Sequence, residues 1–200
     1  MAILWIIDHS LEIIATIAGL LYIIYSVEQE ILCWPYGIVS SAIYVYVFYI
    51  SGIFADMALY VYYVIIGFYG WYNWLHGRKN PDNRQLPVRK INFKTGITLF
   101  IITSVLFIVI SYILRNYTSS NIPYWDAFTT ALSITATWML TQKIMEHWII
   151  WVIVDSMSAG LYLYKELYPS IILFAVYTIL AVIGYIDWHK EWKNQQISTI

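Results

Sequence analysis

One stretch of the chain carries the residue types needed to recognise a flat cation. In Trp148-Ile-Ile-Trp151-Val-Ile-Val-Asp155, a carboxylate follows one indole by four residues and another by seven. On a helix, neighbours recur at three and four residues, so Trp148, Trp151, Asp155, Ser158 and Tyr162 share one stripe. An anion between aromatic faces in a low-dielectric setting attracts a planar cationic ligand by stacking and cation–π attraction. The competing structural role has Asp155 pairing with a lysine or capping backbone groups while the tryptophans pack. Other chemistry lacks support: the chain has no Walker motif, no HExxH and no Cys/His cluster. No cofactor, metal or enzymatic activity is therefore predicted. His9, His76, His147 and His189 fall near predicted helix ends rather than in a proton-relay chain. A net charge of −1 gives no sign of nucleic-acid binding, and the single Cys33 excludes an internal disulfide framework.

The elements that position Asp155 are membrane spans. Of the 200 residues, 60% are hydrophobic and 12% charged, whereas a soluble domain carries about 25% charged residues. Residues 31–55, 57–75, 95–114, 127–142 and 167–186 contain no charge. A helix crosses a bilayer in about 20 residues, and unpaired backbone groups are not tolerated in lipid. The pattern predicts an all-α membrane protein with seven transmembrane helices, at 10–27, 31–51, 55–75, 95–114, 124–143, 147–166 and 169–189. Counted from His147, Asp155 lies about 12 Å into the membrane. Ionisable residues at that depth are functional candidates. The Met1–Asp8 start has no basic n-region and no cleavage site, which predicts insertion without a cleaved signal.

The charges also predict orientation. Arg78, Lys79, Arg84, Arg89, Lys90 and Lys94 crowd into 76–94; placing that linker in the cytoplasm brings Lys143, Lys190 and Lys193 inside as well. Only Arg115 and Lys165 are then outside. The N-terminus is accordingly expected outside and the C-terminus inside. The expected organisation is a three-helix repeat over 1–75, a basic cytoplasmic linker over 76–94, and a linking helix over 95–114. A second three-helix repeat and a short tail fill 115–200.

An internal match supports the duplication. A shift of 117 residues pairs Trp34 with Trp151, Ser41 with Ser158, Tyr60 with Tyr177, Gly67 with Gly184 and Trp71 with Trp188. Tyr44 matches Tyr162 after a one-residue slip. Two three-helix units separated by one helix insert in the same direction, a 3+1+3 transporter architecture whose substrate site lies at the repeat interface. Duplicated bundles also serve as receptors or scaffold subunits. In this register Asp155 faces Ile38 and Trp148 faces Ile31, so both break the symmetry and are expected to contact the ligand. Trp34, Trp151, Ser158, Tyr162 and Tyr44 are expected to line the pathway, with Tyr62 and Tyr63 adding further stacking or hydroxyl contacts. Pro35 and Gly37 predict a kink in the second helix, read either as a gating hinge or as a static bend. Asp56 is expected to cap the third helix.

Trp34-Pro35-Tyr36-Gly37, Ala55-Asp56-Met57, Tyr69-Gly70-Trp71 and Trp148-x-x-Trp151-x-x-x-Asp155 together resemble the bacterial PnuC family of vitamin-precursor transporters. Leu161-Tyr162-Leu163-Tyr164-Lys165 and Gly184-Tyr185-x-x-Trp188 extend that resemblance over essentially the whole chain. It implies a SWEET-like fold in the bacterial cytoplasmic membrane, with a homotrimer in at least one member. It also implies facilitated diffusion of nicotinamide riboside, trapped afterwards by cytoplasmic phosphorylation. A thiamine-specific branch is the alternative, since thiamine also carries a cationic aromatic ring. From the residues alone, a non-transporting scaffold and a proton-coupled carrier using Asp155 also stay open.

Overall fold

The computed structural model describes residues 10–77, 86–118, 120–164 and 168–197; the side chains of 162, 164 and 168–170 lie outside that description. Its helices are α1 Ser10–Val27, α2 Cys33–Ile50, α3 Phe54–His76, α4 Phe93–Tyr117, α5 Pro123–Thr141, α6 His147–Tyr164 and α7 Tyr168–Ile197. The expected bounds agree to within three residues except at the end of α7, which stays helical beyond 189 to Ile197. α1 to α4 and α7 are long and apolar enough to cross a membrane. α5 is more polar, but its Ser133, Thr135, Thr137 and neighbouring alanines are buried against other helices. Small residues of this kind allow close helix approach within a membrane bundle.

The packing closes a ring. α1 packs on α2, α2 on α3, α3 on α5, α5 on α6, α6 on α7, and α7 returns to α1. α4 stands outside that ring against α5 and exposes Phe100, Val105 and Ile108.

Matching features recur at a spacing of 114 residues. Gln29 and Lys143 are the two non-glycine residues with left-handed φ among the described residues, at 60° and 50°. Each ends a helix in a Schellman turn. Gln29 N donates to Ser26 O and Glu30 N to Tyr25 O; Lys143 N donates to Leu140 O and Ile144 N to Met139 O. The next helices then start at Cys33 and His147. The 117-residue register expected from the sequence is thus three residues too long. Three residues is close to one helical turn, so such a slip leaves most side chains on the correct face.

Among the expected linker residues, Arg78, Lys79 and Arg84 lie outside the described residues. Its second half is an extended strap docked on the α5–α6 turn. Arg89 N donates to Lys143 O at 2.8 Å, Met145 N donates to Arg89 O at 2.9 Å, and the Arg89 guanidinium donates to Gln142 O. Ile91 N donates to the Glu146 carboxylate. Asn92 then caps α4, its side chain accepting from Thr95 N.

Candidate functional site

The ring encloses a chamber of about 1010 Å³. At one end it reaches the exposed α2–α3 turn at Gly52 and Ile53, and Asn121 of the α4–α5 connection. At the other, the end that carries the strap, its lining is buried: Ser26, Trp34, Leu140, His147 and Trp148.

Four tryptophans close that end. Trp34 meets Trp74 edge-on, with centroids 5.4 Å apart, and Trp148 meets Trp188 edge-on at 5.9 Å. Trp74 and Trp188 touch across the layer at 6.2 Å. Each outer indole also ties the first three helices to the last three. Trp74 Nε1 donates to Leu140 O near the C-terminus of α5; Trp188 Nε1 donates to Ser26 O and Val27 O at the C-terminus of α1. Ser26 O and Leu140 O already accept from Gln29 N and Lys143 N, so the indoles add a second bond to each, while Val27 O is one of the last carbonyls that a helix leaves without an intrahelical partner. Trp34 lies flat enough on Gly70, and Trp148 on Gly184, that a Cβ at either glycine would overlap the indole. Trp34 and Trp148, Gly70 and Gly184, and Trp74 and Trp188 are all 114 residues apart.

The chamber wall follows the same register. Leu59, Tyr60, Tyr63 and Gly67 on α3 match Leu173, Phe174, Tyr177 and Ala181 on α7. Trp34, Gly37, Ser41 and Tyr44 on α2 match Trp148, Trp151, Asp155 and Ser158 on α6. This corrects two expectations. Trp148 is equivalent to Trp34 and so does not break the symmetry; it is 4% exposed, within the closing layer. Trp151 is the residue that does, because its counterpart is Gly37.

Asp155 remains asymmetric, opposite Ser41. Its side chain is 6% exposed and lines the chamber. Among the described residues it has no lysine or arginine partner and no hydrogen-bond donor, and Tyr63 and Tyr177 lie within its electrostatic reach. Lys143, a conceivable partner for a buried carboxylate, is occupied elsewhere: its Nζ sits 4.3 Å over Trp74 and donates to Gln29 Oε1. Burial in that turn lowers the Lys143 ammonium from its usual 10.5 to about 8.

The other predicted site residues divide. Trp34, Trp151, Ser158 and Tyr44 line the chamber. Ser158 Oγ donates to Val154 O, and Tyr44 Oη is 3.0 Å from Thr16 Oγ1. Tyr62 is not among the lining residues; its hydroxyl donates to Ile134 O, joining α3 to α5. The Tyr162 side chain and Lys165 lie outside the described residues. Pro35 falls in the first turn of α2, where its missing N–H costs no intrahelical bond, so the expected kink has no cause there. Gly37 serves close packing instead: an added Cβ would stand 2.7 Å from Tyr22 Cδ2. Asp56 is not the cap of α3, a place taken by Ile53, but the third residue of the helix, at the chamber mouth. Sequence reasoning missed Tyr22 and the Trp74–Trp188 pair. The recurring Gly-x-x-x-Trp at Gly70 and Gly184 was the signal that could have found the last of these.

Comparison with known proteins gives a consistent picture. The model of the nicotinamide mononucleotide transporter family matches residues 9–190. The nicotinamide riboside transporter PnuC of Escherichia coli is 25% identical over 92% of this chain and 87% of its own length. The riboflavin/roseoflavin transporter RibM of Streptomyces davaonensis is 21% identical over 88% of this chain and 83% of its own. A crystal structure described as the vitamin B3 transporter PnuC superposes with a TM-score of 0.75 at 21% identity, covering 96% of this chain and 87% of that one.

Proposed function

This chain belongs to the PnuC family of membrane transporters, and on that premise we propose that it is a uniporter for nicotinamide riboside. The protein is a transporter, not an enzyme. The observation that carries the substrate is Asp155: a buried carboxylate without a counter-charge among the described residues, in a chamber walled by aromatic rings. A permanently cationic pyridinium supplies that charge and presents a flat face for stacking. Thiamine satisfies the same chemistry and is the alternative. The neutral ring of riboflavin, named for one relative, gains nothing from the carboxylate.

The six-helix ring and its 114-residue correspondences support two parallel three-helix repeats joined by α4, the SWEET-like 3+1+3 plan. With the basic linker in the cytoplasm, the open end of the chamber faces outside and the tryptophan layer is the inner gate. The substrate is released inside by rearrangement of that layer and retained by phosphorylation, so no coupling ion is required. A homotrimer, implied by the family resemblance, is checked by mass measurement of the solubilised protein.

Uptake into proteoliposomes tests the mechanism. Labelled nicotinamide riboside is expected to equilibrate across the membrane with time, without accumulating above the external concentration when a pH gradient is imposed. Uphill accumulation under the gradient replaces uniport with proton coupling. No uptake of nicotinamide riboside or thiamine by folded protein favours a scaffold. Stronger competition by thiamine than by unlabelled nicotinamide riboside reassigns the substrate.

A further inference from the structure

Along α1, Ala15, Gly19, Tyr22 and Ser26 line the chamber at spacings of four, three and four positions, one helical stripe flanked by Thr16 and Ile23, and Tyr22 is the one aromatic residue that α1 places in the lining. Its ring lies over Gly37 of α2, whose added Cβ would be 2.7 Å from Cδ2 and 3.1 Å from Cε2. In the 114-residue register, Gly37 corresponds to Trp151 and Tyr22 to the fully buried Ala136. Large and small partners are therefore exchanged between the halves. The first half supplies its ring from α1 over a glycine on α2. The second supplies its ring from α6, with an alanine on α5. Each half thus offers one aromatic surface at a corresponding place in the wall of the same chamber.

We infer that Tyr22 is the second stacking wall of the ligand site, held there by Gly37, and that it clamps a planar cationic ring against Trp151. This rests on the reading of the chamber as the site of such a ligand. Two opposed faces double the stacking area and keep water from both sides of the cation, which strengthens each ring–cation attraction. Tyr22 is a specificity-determining residue in this arrangement, and Gly37 is a positioning residue acting through it.

The test is calorimetric titration of nicotinamide riboside into the purified full chain, with a thermal melt confirming that each variant is folded. Tyr22→Phe keeps the ring and is expected to bind within about twofold of the parent protein. Tyr22→Leu and Tyr22→Met remove it, with an expected loss of about tenfold; Met conserves more of the volume should Leu fail to fold. Gly37→Ala displaces the ring and is expected to cost severalfold in the parent protein but nothing further in the Tyr22→Leu background. Parent-like affinity in the Leu and Met variants, or an equal Gly37→Ala loss without the ring, overturns the clamp. Asp155→Asn separates the two levels. If it weakens binding while the Tyr22 variants do not, only the clamp falls; if the parent protein binds no nicotinamide riboside, the functional reading falls with it.

Discussion

The tryptophan layer and the chamber above it both draw on the first three and the last three helices of the ring but use them differently. In the layer, Trp34, Gly70 and Trp74 have like residues in Trp148, Gly184 and Trp188, and each outer indole bonds the helix end of the opposite half. In the chamber, some corresponding positions hold like residues, such as Leu59 and Leu173 or Tyr63 and Tyr177, but three pairs are unlike: Ser41 and Asp155, Gly37 and Trp151, Tyr22 and Ala136. Closure along an axis between two like halves is met by a symmetric set of contacts. A small ligand with a charge at one end is not symmetric, and in the proposed function the groups that would bind it need not repeat.

The sharpest way to break this comparison is to exchange treatment of equivalent positions. Asp155→Asn is expected to lower affinity for nicotinamide riboside by about a hundredfold, since removing one partner of a buried charge pair costs about 3 kcal/mol or more. Ser41→Ala, its counterpart, is expected to change affinity less than about threefold, as for the loss of one neutral hydroxyl contact. Equal losses in the two titrations would mean that the chamber is functionally symmetric.

The layer predicts the opposite. Gly70→Ala and Gly184→Ala each drive a methyl group into an indole, and overpacking of this kind costs about 1–3 kcal/mol. Thermal melts in detergent are expected to fall by similar amounts for the two variants. A drop for one alone would show that only one half of the layer bears the closure.

The smallest effect probes one place beside the layer where corresponding residues differ. Lys143 is 2% exposed and ionises at about 8, whereas its counterpart Gln29 does not titrate. Between about pH 8 and pH 10.5 the unfolded chain keeps the lysine proton and the folded chain has lost it, so stability rises with pH across that window. Below it, both states are protonated and the full cost of burying the charge is present. The melting temperature of the parent protein is therefore expected to gain on that of Lys143→Met between pH 8 and pH 10. Parallel profiles for the two proteins would show that the turn carries the ammonium without penalty.

How much of this was legible beforehand depended on the range of the information. The seven helices were readable because a long uncharged run is a local property, and lipid admits few other structures for it. Asp155 was readable for the same reason: a carboxylate deep in an apolar run is anomalous wherever its neighbours lie. The faces of α2 and α6 were also correct, so Trp34, Trp151 and Ser158 were picked out as chamber residues before their surroundings were known. The register between the halves was not. A slip from 114 to 117 residues moves every pairing by nearly one helical turn, which preserves faces and changes partners. That is why Trp148 passed for an asymmetric residue and Trp151 for a symmetric one. Tyr22 and Gly37 were unreadable as a pair because the closeness of α1 to α2 is set by packing, and Pro35 was misread because its meaning depends on where the helix starts. By itself, the sequence determined that this chain threads a membrane as helices and buries one carboxylate among aromatic residues. Only the tertiary structure decided which rings face that carboxylate and which close the path beneath it, because those relations are contacts between residues far apart in the chain.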